Sequence, residues 1–272
     1  MNSLFDIKDR VLVMTGATVD LGASRSRYLA SQGAKGVLLV RQRSRSKGEG
    51  IAEDIRYAGG EAFCVVADVM DKESLEAACE IVLQKYGRVD VLMNAAGGNM
   101  PAATVAPDKT IFDLDTDAVK SVSDLNLFGT VLPTMVFAKA MVRQKSGSII
   151  NFASESALRP LTRVAGYGVA KAAVVNWTKY LCAEMAMKFG EGIRVNAIAP
   201  GIILTDQNRS LLTNPDGRLT ARAQTIIAHT PFGRFLEPEE HLGTLHWLAC
   251  DASKAVTGTI AVVDGGFDAF SI

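Results

Sequence analysis

Val11-Leu12-Val13-Met14-Thr15-Gly16-Ala17-Thr18-Val19-Asp20-Leu21-Gly22 opens the regular structure of the chain. Its first five residues are apolar or β-branched and do not alternate with polar ones. This predicts a strand covered on both faces, as parallel strands are. A glycine-bearing turn then hands the chain to an amphipathic stretch over 22–32. Unpaired N–H groups and the dipole at that helix N-terminus favour an anion such as the pyrophosphate of a dinucleotide. Gly16 permits the tight turn, and Gly22 permits close backbone approach. Gly16, Thr18, Asp20, Leu21 and Gly22 are thus candidate phosphate-binding positions. Asp20 disturbs the pattern: its carboxylate repels a pyrophosphate and its β-carbon crowds the nucleotide. Weakened cofactor binding is expected there, although an Asp can also cap a helix.

The same alternation continues along the chain. Strands are expected over 11–15, 37–40, 62–67, 89–93, 148–152, 194–197 and 260–263. Helices are expected over 22–32, 48–58, 72–86, 117–144, 167–189 and 239–250, several closed by Gly59-Gly60, Gly87 or Gly190. Strand–helix–strand units repeated in this way predict an α/β, Rossmann-type doubly wound parallel sheet of seven strands in one domain, 1–272. Two stretches, about 97–116 and 200–238, resist assignment. Both follow predicted strands at the carboxyl edge, where such sheets bind ligands, and are read as substrate loops.

Bulk properties exclude several classes. Cationic and anionic side chains balance at 29 each, so nucleic acid and membrane surfaces have no electrostatic footprint to bind. The start, Met1-Asn2-Ser3-Leu4-Phe5-Asp6, lacks a basic segment followed by a long apolar run, and no signal peptide is expected. No apolar stretch is expected to approach the roughly 20 residues of a membrane span. Cys64, Cys79, Cys182 and Cys250 form no Cys-x-x-Cys pair and read as buried free thiols of a cytoplasmic protein. His229, His241 and His246 are too few and badly spaced for zinc, and no metal is expected.

Tyr167-Gly168-Val169-Ala170-Lys171 opens a long predicted helix. Residues four apart share a helix face, so phenol and ammonium are neighbours. A fixed cation beside a phenol stabilises the phenolate and is expected to lower its pKa, making Tyr167 a general acid or base. Ser154 stands thirteen residues earlier, at the end of a predicted strand in Asn151-Phe152-Ala153-Ser154. Asn126 lies in Asp124-Leu125-Asn126-Leu127-Phe128-Gly129, in the helix before that strand. Asn94-Ala95-Ala96-Gly97 and Ala67-Asp68-Val69 end two further strands, and Pro200-Gly201-Ile202-Ile203-Leu204-Thr205 follows a third.

In this order the motifs resemble those of the short-chain dehydrogenases/reductases, over about residues 12–266. The resemblance implies that Ser154 polarises a substrate carbonyl or carbinol and Tyr167 passes the proton. It implies that Lys171 holds the nicotinamide ribose and tunes the tyrosine, while Asn126 fixes a water in the proton relay. By the same resemblance Asp68 and Val69 meet the adenine ring, and Asn94, Ala95 and Gly97 line the cofactor cleft. Pro200, Gly201, Ile203 and Thr205 hold the carboxamide end. The family also implies a homotetramer built on the two long helices and the C-terminal strand. The four-residue Tyr-to-Lys step argues against the enoyl-reductase branch, whose pair stands farther apart.

After the second predicted strand a carboxylate would hydrogen-bond the ribose of NAD. Here Val40 is followed by Arg41, Gln42, Arg43, Ser44, Arg45, Ser46 and Lys47. Cations without a carboxylate suit a 2′-phosphate, which predicts NADP(H) over NAD(H) with Arg41 as its partner. The stretches around Gly97-Gly98-Asn99, Phe128-Gly129-Thr130, Thr205-Asp206-Gln207-Asn208-Arg209 and His229-Thr230-Pro231 resemble the D-mannonate (fructuronate) oxidoreductase branch. Asn99, Gln207, Asn208 and Arg209 then become candidate grips for sugar hydroxyls and a carboxylate, with Arg159 and Arg163 as rival anion clamps. Two alternatives stay open: a reductase of a 3-oxoacyl thioester or cyclic ketone, and a non-catalytic member impaired at Asp20.

Overall fold

Strands form where the apolar runs are because helices cover the sheet on both sides. The computed structural model describes residues 3–206 and 208–271, with the backbone alone at Asp20. β1 (Val11–Thr15) is buried along its whole length. β2 (Lys35–Val40), β3 (Glu61–Val66), β4 (Val91–Asn94), β5 (Gly147–Phe152), β6 (Ile193–Pro200) and β7 (Ile260–Val263) join it in one parallel sheet. The order is β3-β2-β1-β4-β5-β6-β7. Strand order reverses between β1 and β4, which opens a crevice at their carboxyl ends. The doubly wound, seven-stranded architecture expected from the sequence is the one observed.

Among the described residues the helices are α1 (Asp20–Ser31), α2 (Arg45–Tyr57), α3 (Lys72–Tyr86), α4 (Thr116–Gln144), α5 (Glu155–Leu158), α6 (Ala165–Phe189), α7 (Arg209–Leu212), α8 (Ala221–His229) and α9 (Leu242–Ala249). Successive strand residues point to opposite faces. Met14, Leu38, Met93 and Ile150 pack against Leu29 of α1, Ile51 and Ile55 of α2, and Leu245 and Leu248 of α9. Val13, Leu39, Leu92 and Ile149 pack against Leu75 of α3, Phe137 and Met141 of α4, and Leu181 of α6.

Boundaries moved for local reasons. β4 begins two residues later than expected because the buried Asp90 carboxylate accepts the Val11 N–H at 2.9 Å, taking the place of a ladder partner. α1 begins two residues earlier, with Val19 in the cap position and Asp20 as the first helical residue, so Asp20 does not cap it. α5, α7 and α8 lie where no helix was expected. The first two are single turns, and α8 buries only Ala223 and Ile226, too few apolar positions to show a period. α4 corrects the expectation that no stretch nears a membrane span: an 18-residue window reaches a mean hydropathy of 1.5. Of that window 56% is buried, and α4 packs on α3, α6 and the sheet as a core helix does. The four cysteines are free, but Cys64 and Cys182 are only half-buried.

The carboxyl ends of β4 and β5 are tied together from inside. Asn94 and Asn151 are register partners, and Asn94 Nδ2 donates to Asn151 Oδ1 at 2.9 Å and to Thr134 Oγ1 of α4 at 2.8 Å. Asn151 Nδ2 donates to Thr178 Oγ1 of α6 at 2.9 Å. All four residues are buried, so each bond replaces one with water. Asn151→Ala leaves partners on both sides unsatisfied. A loss of about 1–3 kcal/mol is expected from the midpoint of urea unfolding at unchanged slope.

Candidate active site

The turn after β1 is built against the loop after β4. Gly16 has φ +67, and a β-carbon on it would stand 2.7 Å from the Ala95 carbonyl oxygen. Thr15 Oγ1 accepts the Ala96 N–H at 3.0 Å. Thr18 and Leu21 are half-buried in the turn. The cap residue Val19 makes no side-chain hydrogen bond to α1, although its carbonyl accepts the Gly22 N–H at 2.8 Å and the Ala23 N–H at 3.1 Å. A glycine turn leading into a helix with no side-chain cap fits a dinucleotide pyrophosphate, with Gly16, Thr18, Leu21 and Gly22 as its cradle.

Across the crevice, Ser154 caps α5, its Oγ accepting the Ser156 N–H at 3.3 Å and the Ser156 O–H at 3.1 Å. Tyr167, in the first turn of α6, is hydrogen-bonded to Ser154 through its side chain. Tyr167 packs against a small apolar cluster of Ala103, Ala118 and Val122. One turn on, Lys171 is buried. Its Nζ lies 5.7 Å from the Tyr167 ring centroid and donates to the Phe152 carbonyl oxygen at 2.7 Å. Asn126 is buried beside them, its Nδ2 donating to the Gly98 and Val122 carbonyls at 2.7 Å each and its Oδ1 accepting the Gly98 N–H at 3.1 Å. Gly97 is small of necessity: an added β-carbon would meet Asn126 Oδ1 at 2.5 Å and Lys171 Nζ at 3.3 Å. The four expected catalytic side chains therefore converge.

The electrostatics correct one expectation. Burial, and secondarily the Arg25 guanidinium, push Lys171 down to about 7. Tyr167, for its part, is not lowered overall. Burial raises the phenol above its ordinary value, opposed by the Ser154 hydrogen bond and by Arg25.

Other candidates divide. Pro200, Gly201 and Thr205 are half-buried at the end of β6, and Ile203 is buried against Leu236. A β-carbon at Gly201 would press on Asp264. Asp68 is exposed and its Oδ1 accepts the Met70 N–H at 2.9 Å, while Val69 is buried against Gly129 of α4. Ala95 stays at the crevice, but the Asn94 side chain is turned into the sheet–helix junction and does not line the cleft. Arg41 is exposed at the end of β2 and makes no ion pair among the described residues, whereas Arg45 is held by Glu49 at 2.7 Å.

Among the substrate candidates, Arg159 is committed to Asp268, donating to its Oδ1 at 2.9 Å and to its carbonyl oxygen. Arg163 donates to the Val105 carbonyl. Arg159 is therefore not a free anion clamp, whereas Arg163 makes no ion pair among the described residues. Asn208 is also used internally, with Oδ1 accepting the Thr205 N–H and Nδ2 donating to the Ile203 carbonyl, both at 2.8 Å. Asn99 donates to Thr104 Oγ1 at 3.0 Å. Arg209 is exposed and lies 3.5 Å from Asp206. Gln207 lies outside the described residues. No group of three or more His, Cys, Asp or Glu is placed to hold a metal among the described residues.

Three residues near the site were missed. Arg25 is 4% exposed, His241 0% and Glu155 1%. Arg25 lies four residues before buried Leu29, and that helical phase was the one available signal. Glu155 follows Ser154, and both carboxyl oxygens are buried without a partner. Burial, then Asp264 and Asp268, push it up to about 8. A carboxyl kept protonated by folding contributes stability below its ordinary range and loses it as pH rises towards 8. Glu155→Gln is therefore expected to raise the melting temperature over wild type at pH 8, with the advantage shrinking by pH 5. An advantage independent of pH would refute this.

The chain matches the profile of a family described as Enoyl-(Acyl carrier protein) reductase over residues 16–268. It is 42% identical over 276 residues to an uncharacterized oxidoreductase, UxuB, of Bacillus subtilis (strain 168), covering 98% of this chain and 97% of that one. It is 35% identical over 262 residues to a 3-oxoacyl-[acyl-carrier-protein] reductase of Synechocystis sp., covering 96% and 98%. A crystal structure from Haemophilus influenza with bound NAD, assigned provisionally as a D-mannonate oxidoreductase, shares 36% identity at a TM-score of 0.92 and covers 99% of both chains. A gluconate 5-dehydrogenase from Burkholderia cenocepacia J2315, in complex with NADP and tartrate, shares 29% at 0.88 and covers 98% of both. Sheet order, glycine turn and sequence agree: the chain belongs to the short-chain dehydrogenase/reductase family and is an NAD(P)-dependent oxidoreductase.

Proposed function

We propose that this oxidoreductase interconverts a secondary alcohol and a ketone on a sugar acid of the D-mannonate/D-fructuronate kind, with NADP(H) preferred to NAD(H). The observation that carries the chemistry is the junction of Ser154, Tyr167 and Lys171 beside Gly97. Both Ser156 donors point at Ser154 Oγ, so the Ser154 O–H is the group left to donate, to Tyr167 in the structure described and to a substrate oxygen when one is bound. Tyr167, bonded to Ser154, gives its proton in reduction and takes it back in oxidation. Lys171, held by the Phe152 carbonyl and next to Gly97, would hold a ribose hydroxyl of the bound cofactor. Asn126 orders the Gly97–Gly98 backbone against which the cofactor would lie. The bound nicotinamide supplies or accepts the hydride.

The sugar-acid reading is supported by the Haemophilus and Burkholderia neighbours and by Arg209, an exposed cation at the start of α7 whose printed ion pair, to Asp206, is long at 3.5 Å. The NADP(H) reading rests on Arg41 and its basic surroundings where NAD enzymes of this fold place a carboxylate. Asp20, at the head of α1, tempers affinity for the pyrophosphate. The Synechocystis relative favours a second reading, reduction of a 3-oxoacyl thioester. Exposed Phe128 and Met135 on α4 and Val169, Tyr180 and Met187 on α6 support assembly into a homotetramer through those helices. Four free cysteines are in keeping with a cytoplasmic protein.

Absorbance of the reduced cofactor is followed with fructuronate, 5-ketogluconate, a 3-oxoacyl thioester and a cyclic ketone. Turnover of the sugar acids is expected to exceed that of the others; the reverse ranking selects the second reading. Tyr167→Phe should lower turnover by about 10²-fold or more while cofactor affinity stays within a few-fold. Arg41→Ala should weaken NADPH binding and leave NADH binding nearly unchanged. Equal effects on the two cofactors would remove the 2′-phosphate role.

A further inference from the structure

Three consecutive residues between Ser154 and Tyr167 hold the rim of the crevice together. Leu161 packs into the apolar cluster of Leu212 from α7, Ala223 and Ile226 from α8, and Phe267. Thr162 takes both terminal nitrogens of Arg222, also on α8: Nη1 donates to the threonine Oγ1 at 2.6 Å and Nη2 to its carbonyl oxygen at 2.8 Å. Arg163 is tied to the loop that follows β4. Its Nε donates to the Val105 carbonyl at 2.9 Å, and its own carbonyl accepts the Val105 N–H at 3.0 Å. The two stretches expected to bind substrate, about 97–116 and 200–238, therefore meet on this connection.

The two arginines adjoin there. The carbonyl that Arg222 holds is bonded to the Arg163 backbone nitrogen, so one guanidinium rests on the backbone of the other residue. Both residues are half-buried, and neither has a carboxylate partner among the described residues. Burial, and secondarily Arg163, lower Arg222 below its ordinary value. Holding a carbonyl and a hydroxyl asks for no charge, since an amide donates as well. Two cations crowded without an anion raise the energy of the empty site, and an anion arriving with a ligand relieves it. Backbone strain marks the same place: Arg163 stands at φ +74, a left-handed conformation rare outside glycine. Anchored through Nε, Arg163 keeps its two terminal nitrogens without a hydrogen bond among the described residues. Those nitrogens are the fork that matches a carboxylate.

The pair also stands beside the reacting groups. Four residues separate Arg163 from Tyr167, a span of at most roughly 14 Å even in extended chain. Ala103, two residues before Val105, belongs to the apolar cluster against which Tyr167 packs. We propose that Arg163 and Arg222 together receive the carboxylate of the substrate, while its ketone or carbinol lies at Ser154 and Tyr167. This rests on the sugar-acid reading and gives it a recognition site. It adds to Arg209 two cations anchored on the segment that joins the serine to the tyrosine.

Reduction of fructuronate, 5-ketogluconate and the uncharged ketose D-fructose is followed with wild type, R163N, R163K and R222Q. Asparagine tolerates the left-handed backbone at 163, and glutamine at 222 keeps a donor for Thr162, so both changes remove charge with little else. KM for the sugar acids should rise about tenfold or more in R163N and in R222Q, with kcat changed much less, and R163K should recover part of the loss. The ratio of kcat/KM for sugar acid over D-fructose should fall by a similar factor. Sugar acids turned over with unchanged KM in both neutral variants would overturn the inference and leave the proposed substrate class in place. An unchanged acid-to-ketose ratio would do the same, since it makes the pair a structural tie alone. Wild type that ignores sugar acids and reduces an uncharged 3-oxoacyl thioester or cyclic ketone would overturn the substrate reading, and the inference with it. Should R222Q fail to fold, R163N against R163K carries the comparison.

Discussion

The amide of Asn94 donating to the side chain of Asn151 joins β4 and β5 where the sheet ends and the site begins. Both residues are buried, and the bond extends to Thr134 on α4 and Thr178 on α6. A parallel sheet leaves its carboxyl edge with strand ends that must lead somewhere, and here each end is pinned before it leaves. The loop carrying Gly97 and Gly98 starts from one asparagine, and the segment carrying Ser154 starts from the other. α6, which carries Tyr167 and Lys171, is held to the same junction by Thr178. The site's geometry is thus inherited from a polar seam inside the fold.

Burial then decides how the site's charges behave. Lys171 and Arg25 both sit out of water, and they repel one another as well. The lysine yields first because its compact ammonium depends more on hydration, whereas the delocalised guanidinium rests on the Phe152 ring. Tyr167 is caught between opposing effects: removal from water favours the neutral phenol, and Ser154 and Arg25 favour the phenolate. Glu155, one residue from Ser154, shows the same competition with no cation strong enough to win it. A proton-transfer site of this kind works because neither protonation state is far from favourable.

Much of this was legible in one dimension. The unbroken apolar runs and glycine turns specified strands buried on both faces, and the alternation with helices specified a parallel, doubly wound sheet. The motifs holding Asn126, Ser154, Tyr167 and Lys171 resembled those of a known family, and that resemblance grouped the four before any coordinates. The loops were less legible. Arg159 and Asn208 looked like grips for a substrate, but each is a tie within the protein, because a loop long enough to bind must first satisfy its own backbone and charges. α8 escaped notice because it buries only two residues.

Sequence by itself determined the fold class and the approximate positions of the strands, since these follow from local periodicity, while the four residues at the crevice were named through the resemblance of their motifs to those of a known family. Tertiary structure alone decided which charges keep their protons and which polar side chains remain available. Val11 to Gly22, for instance, declares a strand, a turn and a helix. Only packing shows that three residues beyond its last glycine an arginine turns inward onto Phe152. Charge and hydration depend on what lies within a few ångströms, and those neighbours, His241 and Phe152, come from parts of the chain more than a hundred residues away.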